Sequence, residues 1–149
     1  MAEAGDFQVV DVPFGSDLYR QAVVLRDAIL RAPLGLALTP EELADDIRRH
    51  HFCALTRGAV VGSVSLKPLD GEAVQLRQMA VVANRRHEGI GARLLAGAET
   101  WAGGNGYKLI VLNARLGADG FYARFGYRAE GSPFEENTVA HIRMSKRLG

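Results

Sequence analysis

The stretch Leu76–Leu95, LRQMAVVANRRHEGIGARLL, limits the folds open to this chain more than any other. It begins with an apolar, β-branched run, Met79-Ala80-Val81-Val82, crosses a short polar turn, and enters a helical pattern at Gly89-Ile90-Gly91. Read together, these are a strand, an anion cradle and a helix. The first turn of a helix exposes N–H groups without intrahelical partners and carries about half a positive charge. Glycines there admit a phosphate closely, and Arg85, Arg86 and His87 ring the opening with cationic or titratable groups.

Two better-known phosphate motifs are excluded. A dinucleotide fingerprint needs a third glycine where Leu94 stands and an acidic residue about twenty positions on, where the chain has Val111-Leu112-Asn113. A P-loop needs Gly-Lys-Ser/Thr, a tripeptide that does not occur. The glycine pattern by itself equally suits a softened helix start with no ligand.

The rest of the chain reads as a mixed α/β fold of about seven strands and four helices. Phe7 to Val12 is a first strand, ended by Pro13 and Gly15. Leu18, Ala22, Leu25 and Ile29 recur at helical spacing, which predicts a first helix over 18–30 with Arg20, Arg26 and Asp27 on its solvent face. Pro33 ends it, and Thr39-Pro40-Glu41-Glu42 opens a second helix to about Arg49, with a capping hydroxyl, a proline at the first position and a carboxylate three residues after the cap. Phe52–Thr56 and Val60–Lys67 form a hairpin through Arg57-Gly58-Ala59, and Ala73–Val82 comes after the Asp70-Gly71 turn. A third helix over 89–102 buries Ile90, Leu94, Leu95 and Ala98 or Trp101, and stops at Gly103-Gly104-Asn105-Gly106. Lys108–Asn113 is reached by that helical crossover, so it lies parallel to the fourth strand. A short helix over 117–125 ends at Gly126, Tyr127-Arg128 starts another extended piece, and Val139–Met144 closes the sheet.

A chain of 149 residues is most simply one domain, 1–149. A net charge of +1 argues against a dedicated nucleic-acid binder, and no apolar run approaches the roughly twenty residues of a membrane span. Cys53 is alone, which fits a reducing compartment, and the start MAEAGDF lacks the basic and apolar regions of a secretory signal. The expectation is a cytoplasmic protein without membrane or nucleic-acid partners. His50, His51 and Cys53 invite a metal reading, but with no second cysteine a buried thiol is the better one, so no metal is expected.

Arg86-His87-Glu88-Gly89-Ile90-Gly91 resembles the R/Q-x-x-G-x-G/A signature of the GNAT superfamily of acetyltransferases, and Phe121-Tyr122-Ala123-Arg124-Phe125-Gly126-Tyr127 resembles that family's FYxxxGF element. Their order, with a strand before each, is far more specific than either piece. The resemblance covers about Leu55 to Lys146, and the tail PFEENTVAHIRMSK is similar to the ElaA-like branch. It implies a GNAT fold, mostly antiparallel, whose fourth and fifth strands run parallel and splay apart, with the pantetheine arm of acetyl-coenzyme A filling the gap. The cofactor-binding residues it implies are Met79, Ala80 and Val81 on the arm, Arg86, His87, Glu88, Gly89, Ile90, Gly91 and Ala92 at the diphosphate, and Asn113 and Tyr122.

The activity implied is acetyl transfer from acetyl-coenzyme A to a primary amine of a small molecule or a protein, by a monomer or homodimer. A non-catalytic acyl-coenzyme A sensor is the alternative. A neutral amine attacks a thioester carbonyl, and a preorganised N–H at the developing negative oxygen is worth most in a dry site. By resemblance that donor is the backbone of Met79, and Tyr122 protonates the departing thiolate; as a plain structural residue Tyr122 would be a half-buried ring packing a short helix. Asn113 either bonds the cofactor or caps a turn. Where some protein-acetylating members carry a glutamate this chain has Gln75, which cannot accept a proton. Glu135, Glu136, His141 or ordered water remain as the base. Arg26, Arg31 and Arg77 are candidates for a substrate carboxylate, and Glu135 and Glu136 for an amine, against the simpler reading of solvated charges.

Overall fold

A computed structural model of the protein describes residues 6–149. In chain order these residues form β1 (Gln8–Val12), α1 (Asp17–Arg26), α2 (Pro40–Asp45), β2 (His50–Thr56), β3 (Ala59–Pro68), β4 (Ala73–Val81), α3 (Ile90–Gly104), β5 (Leu109–Arg115), α4 (Asp119–Ala123), β6 (Arg128–Glu136) and β7 (Val139–Arg147). All seven strands share one sheet in the order β1-β2-β3-β4-β5-β7-β6. Only β4 and β5 pair in parallel, as the helical crossover between them requires. β7 inserts between β5 and β6, so β6 is the sheet edge and the last strand does not close it.

The core lies between the sheet and α3, whose Ile90, Leu94, Leu95, Ala98 and Ala102 are buried on one stripe. Gly62 of β3 lets the helix lie close, since a Cβ there would come 2.9 Å from Ile90 Cγ2 and 3.0 Å from Leu94 Cδ1. Trp101 is only half-buried and stacks on His50 at 4.2 Å between ring centroids. Cys53 is the buried thiol expected, and burial pushes its pKa up to about 12. The ring of His51 donates from Nε2 to the Asp46 carbonyl at 2.8 Å, so it is held by the backbone.

Four sequence expectations change in the first sixty residues. The first helix does not stay regular to residue 30: α1 ends at Arg26 and a wider π-turn, Asp27–Arg31, continues it. The second helix has the expected capping box, Thr39 with Glu42, but ends at Asp45 in a 3₁₀ turn, Asp46–Arg48. Tyr19 rather than Leu18 is buried on α1, and Arg26 is not on the solvent face at all, being 3% exposed. The reason is Asp46, fully buried at the end of α2, which accepts from Arg26 Nη1 at 2.7 Å and from the Tyr19 hydroxyl at 2.6 Å. A buried guanidinium is tolerated because its counter-charge is buried with it.

Two irregularities in β4 open the sheet and displace Met79 from regular pairing. Its register with β5 stops at Gln75↔Val111, although both strands run on, so the sheet opens toward their C-terminal ends. On the other side, Ser63 pairs with Ala80 and Ser65 with Arg77, so Val64 faces both Gln78 and Met79 in a β-bulge. Gln78 sits there at φ 55, a left-handed conformation uncommon for a residue with a side chain.

Candidate active site

Two cavities meet in the opening between β4 and β5. The larger, about 650 Å³, runs from the start of α3 along β4 to α4. The smaller, about 150 Å³, is enclosed by β4, β5, the end of the π-turn and the tip of the β6–β7 hairpin. Leu30, Met79, Arg115, Ala118 and Tyr122 line both, and so mark the junction between them.

The larger cavity has the attributes of an anion cradle joined to an apolar channel. Gly89 caps α3 in the left-handed region at φ 86, so glycine is required there by conformation, with open space where a Cβ would be. No side chain caps this helix end, and the first intrahelical bond runs from Arg93 N–H to the Gly89 carbonyl. The N–H groups of Ile90, Gly91 and Ala92 therefore lie before the helical ladder begins, all three lining the cavity. A Cβ on Gly91 would touch Phe121 Cζ at 3.4 Å and Met79 Sδ at 3.5 Å, so this glycine keeps the wall clear. Arg85 is held by Glu88 at 2.7 Å and by the Thr56 hydroxyl at 2.6 Å, whereas Arg86 and Arg124 form no ion pair among the described residues.

Of the residues singled out in the sequence, Met79, Ala80, Val81, Arg86, His87, Gly89, Ile90, Gly91, Ala92 and Tyr122 line this cavity. Glu88 is turned to Arg85, and Asn113 lies in the smaller cavity, its Nδ2 donating to Glu136 Oε1 at 3.4 Å. Tyr122 is buried rather than half-buried, set edge-on to Phe121 and Tyr127. Its hydroxyl meets only the weakly accepting sulfur of Met79, at 4.0 Å, and burial pushes its pKa up to about 12. It keeps its proton at any ordinary pH.

The smaller cavity is polar. His141 is buried, and its Nδ1–H donates to the Val139 carbonyl at 2.8 Å. A carbonyl only accepts, so in the neutral ring Nε2 carries the lone pair, 3.7 Å from Glu136 Oε2. Glu135 is exposed on the edge strand and takes no part in this wall. Arg31, Arg77 and Arg115 contribute three guanidinium groups. Arg31 is paired with Glu42. Arg77 bonds only Gln75 Oε1, at 3.4 Å, and Arg115 donates to the Leu30 carbonyl at 2.7 Å. Burial first, then Arg49, makes Arg77 less basic than usual, and burial first, then Arg31, does the same to Arg115.

Behind β4 lies a network that the sequence does not announce. Gln78 Oε1 accepts from Arg26 Nη2 and from Arg49 Nη1 at 3.4 Å, and its Nε2 donates to Glu42 Oε2 at 3.1 Å. Arg49 is paired in turn with Asp45 at 3.0 Å and Asp46 at 3.4 Å. A left-handed residue persists where its surroundings over-determine it, and these bonds fix the bulge next to Met79. The Arg115–Leu30 bond is equally invisible in the sequence, where Arg115 carries no local signal beyond its charge.

The family model described as "Acetyltransferase (GNAT) domain" matches residues 24–148. The uncharacterized N-acetyltransferase YitI of Bacillus subtilis (strain 168) is 29% identical over 105 residues, covering 66% of this chain and 70% of that protein. The crystal structure of Escherichia coli ElaA superposes with a TM-score of 0.82 at 20% identity, covering 94% of this chain and 99% of that one. A GNAT family acetyltransferase from Elizabethkingia anophelis, solved with acetyl-CoA bound, gives a TM-score of 0.74 at 19% identity over 96% of this chain and 99% of the other. At these identities the two superpositions speak for the fold.

Proposed function

Since the chain belongs to the GNAT family of acetyltransferases, enzymes that draw on acetyl-CoA, we propose that it moves the acetyl group onto a primary amine held in the smaller cavity. The observation that carries this reading is the junction itself, where the anion-cradle cavity and the polar cavity share Met79 and Tyr122. The residues present fit the cofactor: uncapped N–H groups at Ile90, Gly91 and Ala92 with Arg86 and Arg124 nearby for the diphosphate, and the unpaired edge of β4 at Met79–Val81 for the arm. When bound, the cofactor supplies an activated acetyl carbonyl and a thiolate leaving group.

The chain's own groups divide the remaining work. The bulge frees Met79 from the β3–β4 register, making its N–H the candidate donor to the carbonyl oxygen as negative charge grows there. Tyr122, buried and protonated, donates to the departing sulfur. His141 takes the proton the amine must lose, Nε2 being the ring nitrogen that the Nδ1 bond to Val139 leaves free, with Glu136 at 3.7 Å. All described strands lie in one sheet, which supports one catalytic domain, and no helix among the described residues is long and apolar enough to cross a membrane.

The test has two halves. Calorimetry with acetyl-CoA should show saturable binding that Gly89→Glu or Gly91→Glu abolishes, because each puts a carboxylate in the anion's place; unchanged affinity refutes the cradle. Tyr122→Phe should cut kcat by about 10²-fold or more with affinity for acetyl-CoA nearly intact, and equal turnover would return Tyr122 to packing alone.

A further inference from the structure

We infer that the acceptor amine carries its own carboxylate: the smaller cavity is fitted to a small zwitterion, with Arg77 and Arg115 at the anionic end and Glu136 with His141 at the cationic end. This rests on the transferase reading above and narrows it to one substrate class.

The unpartnered guanidiniums are the first ground. Every other arginine drawn into this half of the molecule, Arg26, Arg31 and Arg49, has a carboxylate beside it. Arg77 and Arg115 line the cavity and, among the described residues, form no ion pair; Glu136 acts on both, and Glu42 and Asp45 on Arg77, only from beyond contact distance. A partly buried guanidinium without a counter-ion is unfavourable, and a forked, planar donor set matches a carboxylate better than any other common anion of this size. Binding such a group would relieve the repulsion that the neighbouring Arg31 and Arg49 impose. Arg77 lines the smaller cavity only, so its anion is not the one held at the start of α3.

The opposite charge supplies the second ground. Glu136 is the single carboxylate among the cavity's lining residues, oriented by Asn113 and set beside the lone pair of His141. An ammonium group docks against Glu136, passes one proton to His141 Nε2, and is then neutral and nucleophilic. The cavity volume, about 150 Å³, suits a small acceptor that brings both charges in one molecule. An internal protein lysine carries no carboxylate of its own that close to its amine.

The experiment measures thiol release from acetyl-CoA with the twenty common amino acids and with ω-amino acids of three to six carbons, each against its own primary amide. At least one acid should exceed its amide about tenfold or more in kcat/KM, chiefly through KM. In Arg77→Gln that ratio should fall toward one, and in Arg77→Lys, which keeps the charge but not the fork, it should be intermediate. Calorimetry with acetyl-CoA on the same variants should show unchanged affinity. Amides used as well as acids, a preference that survives Arg77→Gln, or no transfer to any acid while acetyl-CoA binds would each overturn the zwitterion proposal and leave cofactor binding standing. Failure of the wild-type protein to bind acetyl-CoA would overturn the transferase reading first.

Discussion

The arginines gathered around β4 fall into two sets. On the α1–α2 side, Arg26, Arg31 and Arg49 are buried and each is met by Asp45, Asp46 or Glu42, with Gln78 drawn into the same network. On the β5 side, Arg77 and Arg115 are partly buried and meet only an amide and a carbonyl oxygen. Charge and residue type are the same in both; the partners differ. The completed set has nothing left to offer a ligand and fixes the backbone at the bulge, whereas the incomplete set faces a cavity. Burial of an arginine is therefore uninformative about function until its counter-charge has been found.

The contrast between the two sets is most exposed to test at Asp46. Asp46→Asn leaves Arg26 and Arg49 short of a buried counter-charge and should destabilise the fold by about 3–5 kcal/mol, read as a lower urea midpoint at unchanged slope. A change below about 1 kcal/mol would mean that the network is ornamental. Gln78→Ala keeps the left-handed strain and deletes three hydrogen bonds to charged partners, so a loss of about 1–3 kcal/mol is expected, together with a fall in kcat as the neighbouring Met79 N–H loses its fixed position. Gln78→Gly separates the two causes: it restores backbone ease but not turnover. Arg77→Gln, from the incomplete set, should leave stability within about 0.5 kcal/mol or raise it, since it removes a partly buried charge that no carboxylate contacts. Loss of stability comparable to that of Asp46→Asn would merge the two sets into one.

A separate effect is alkaline. Tyr19, bonded to Asp46, and Tyr122, in the cleft, both have pKa values raised from 10.0 to about 12, and Cys53 is raised from 9.0 to about 12, in each case first by burial. The unfolded chain ionises these groups earlier than the folded one, so the stability they support is intact below about pH 9 and declines as the pH climbs toward about 12. Cys53→Ala should move the onset of that decline, followed by urea midpoints across the range, from near 9 to near 10.

Most of the fold was legible because its signals are local. The strand, cradle and helix from Leu76 to Leu95 declare themselves in consecutive residues, and the crossover of α3 dictates the parallel pair. The Thr39–Glu42 capping box is equally local. What escaped was carried by distant partners. Arg26 reads as a solvent-face residue on α1 until Asp46, twenty positions away, is folded against it. Gln78 sits in an apolar strand with nothing to announce a bulge, since the groups that hold it come from Arg26, Glu42 and Arg49. The lateral order of β6 and β7 was not legible for a related reason: β6 is almost wholly exposed, so it carries no apolar pattern to say which neighbour it needs.

That same order has an evolutionary reading. Because β5 is zipped to β7 along its whole length, the loop that joins β6 to β7 hangs from a finished scaffold and carries Glu136 at its root. Insertions or deletions at Asn137-Thr138 would reshape the smaller cavity, which Glu136 and Asn137 line, without disturbing the β5–β7 pairing behind it.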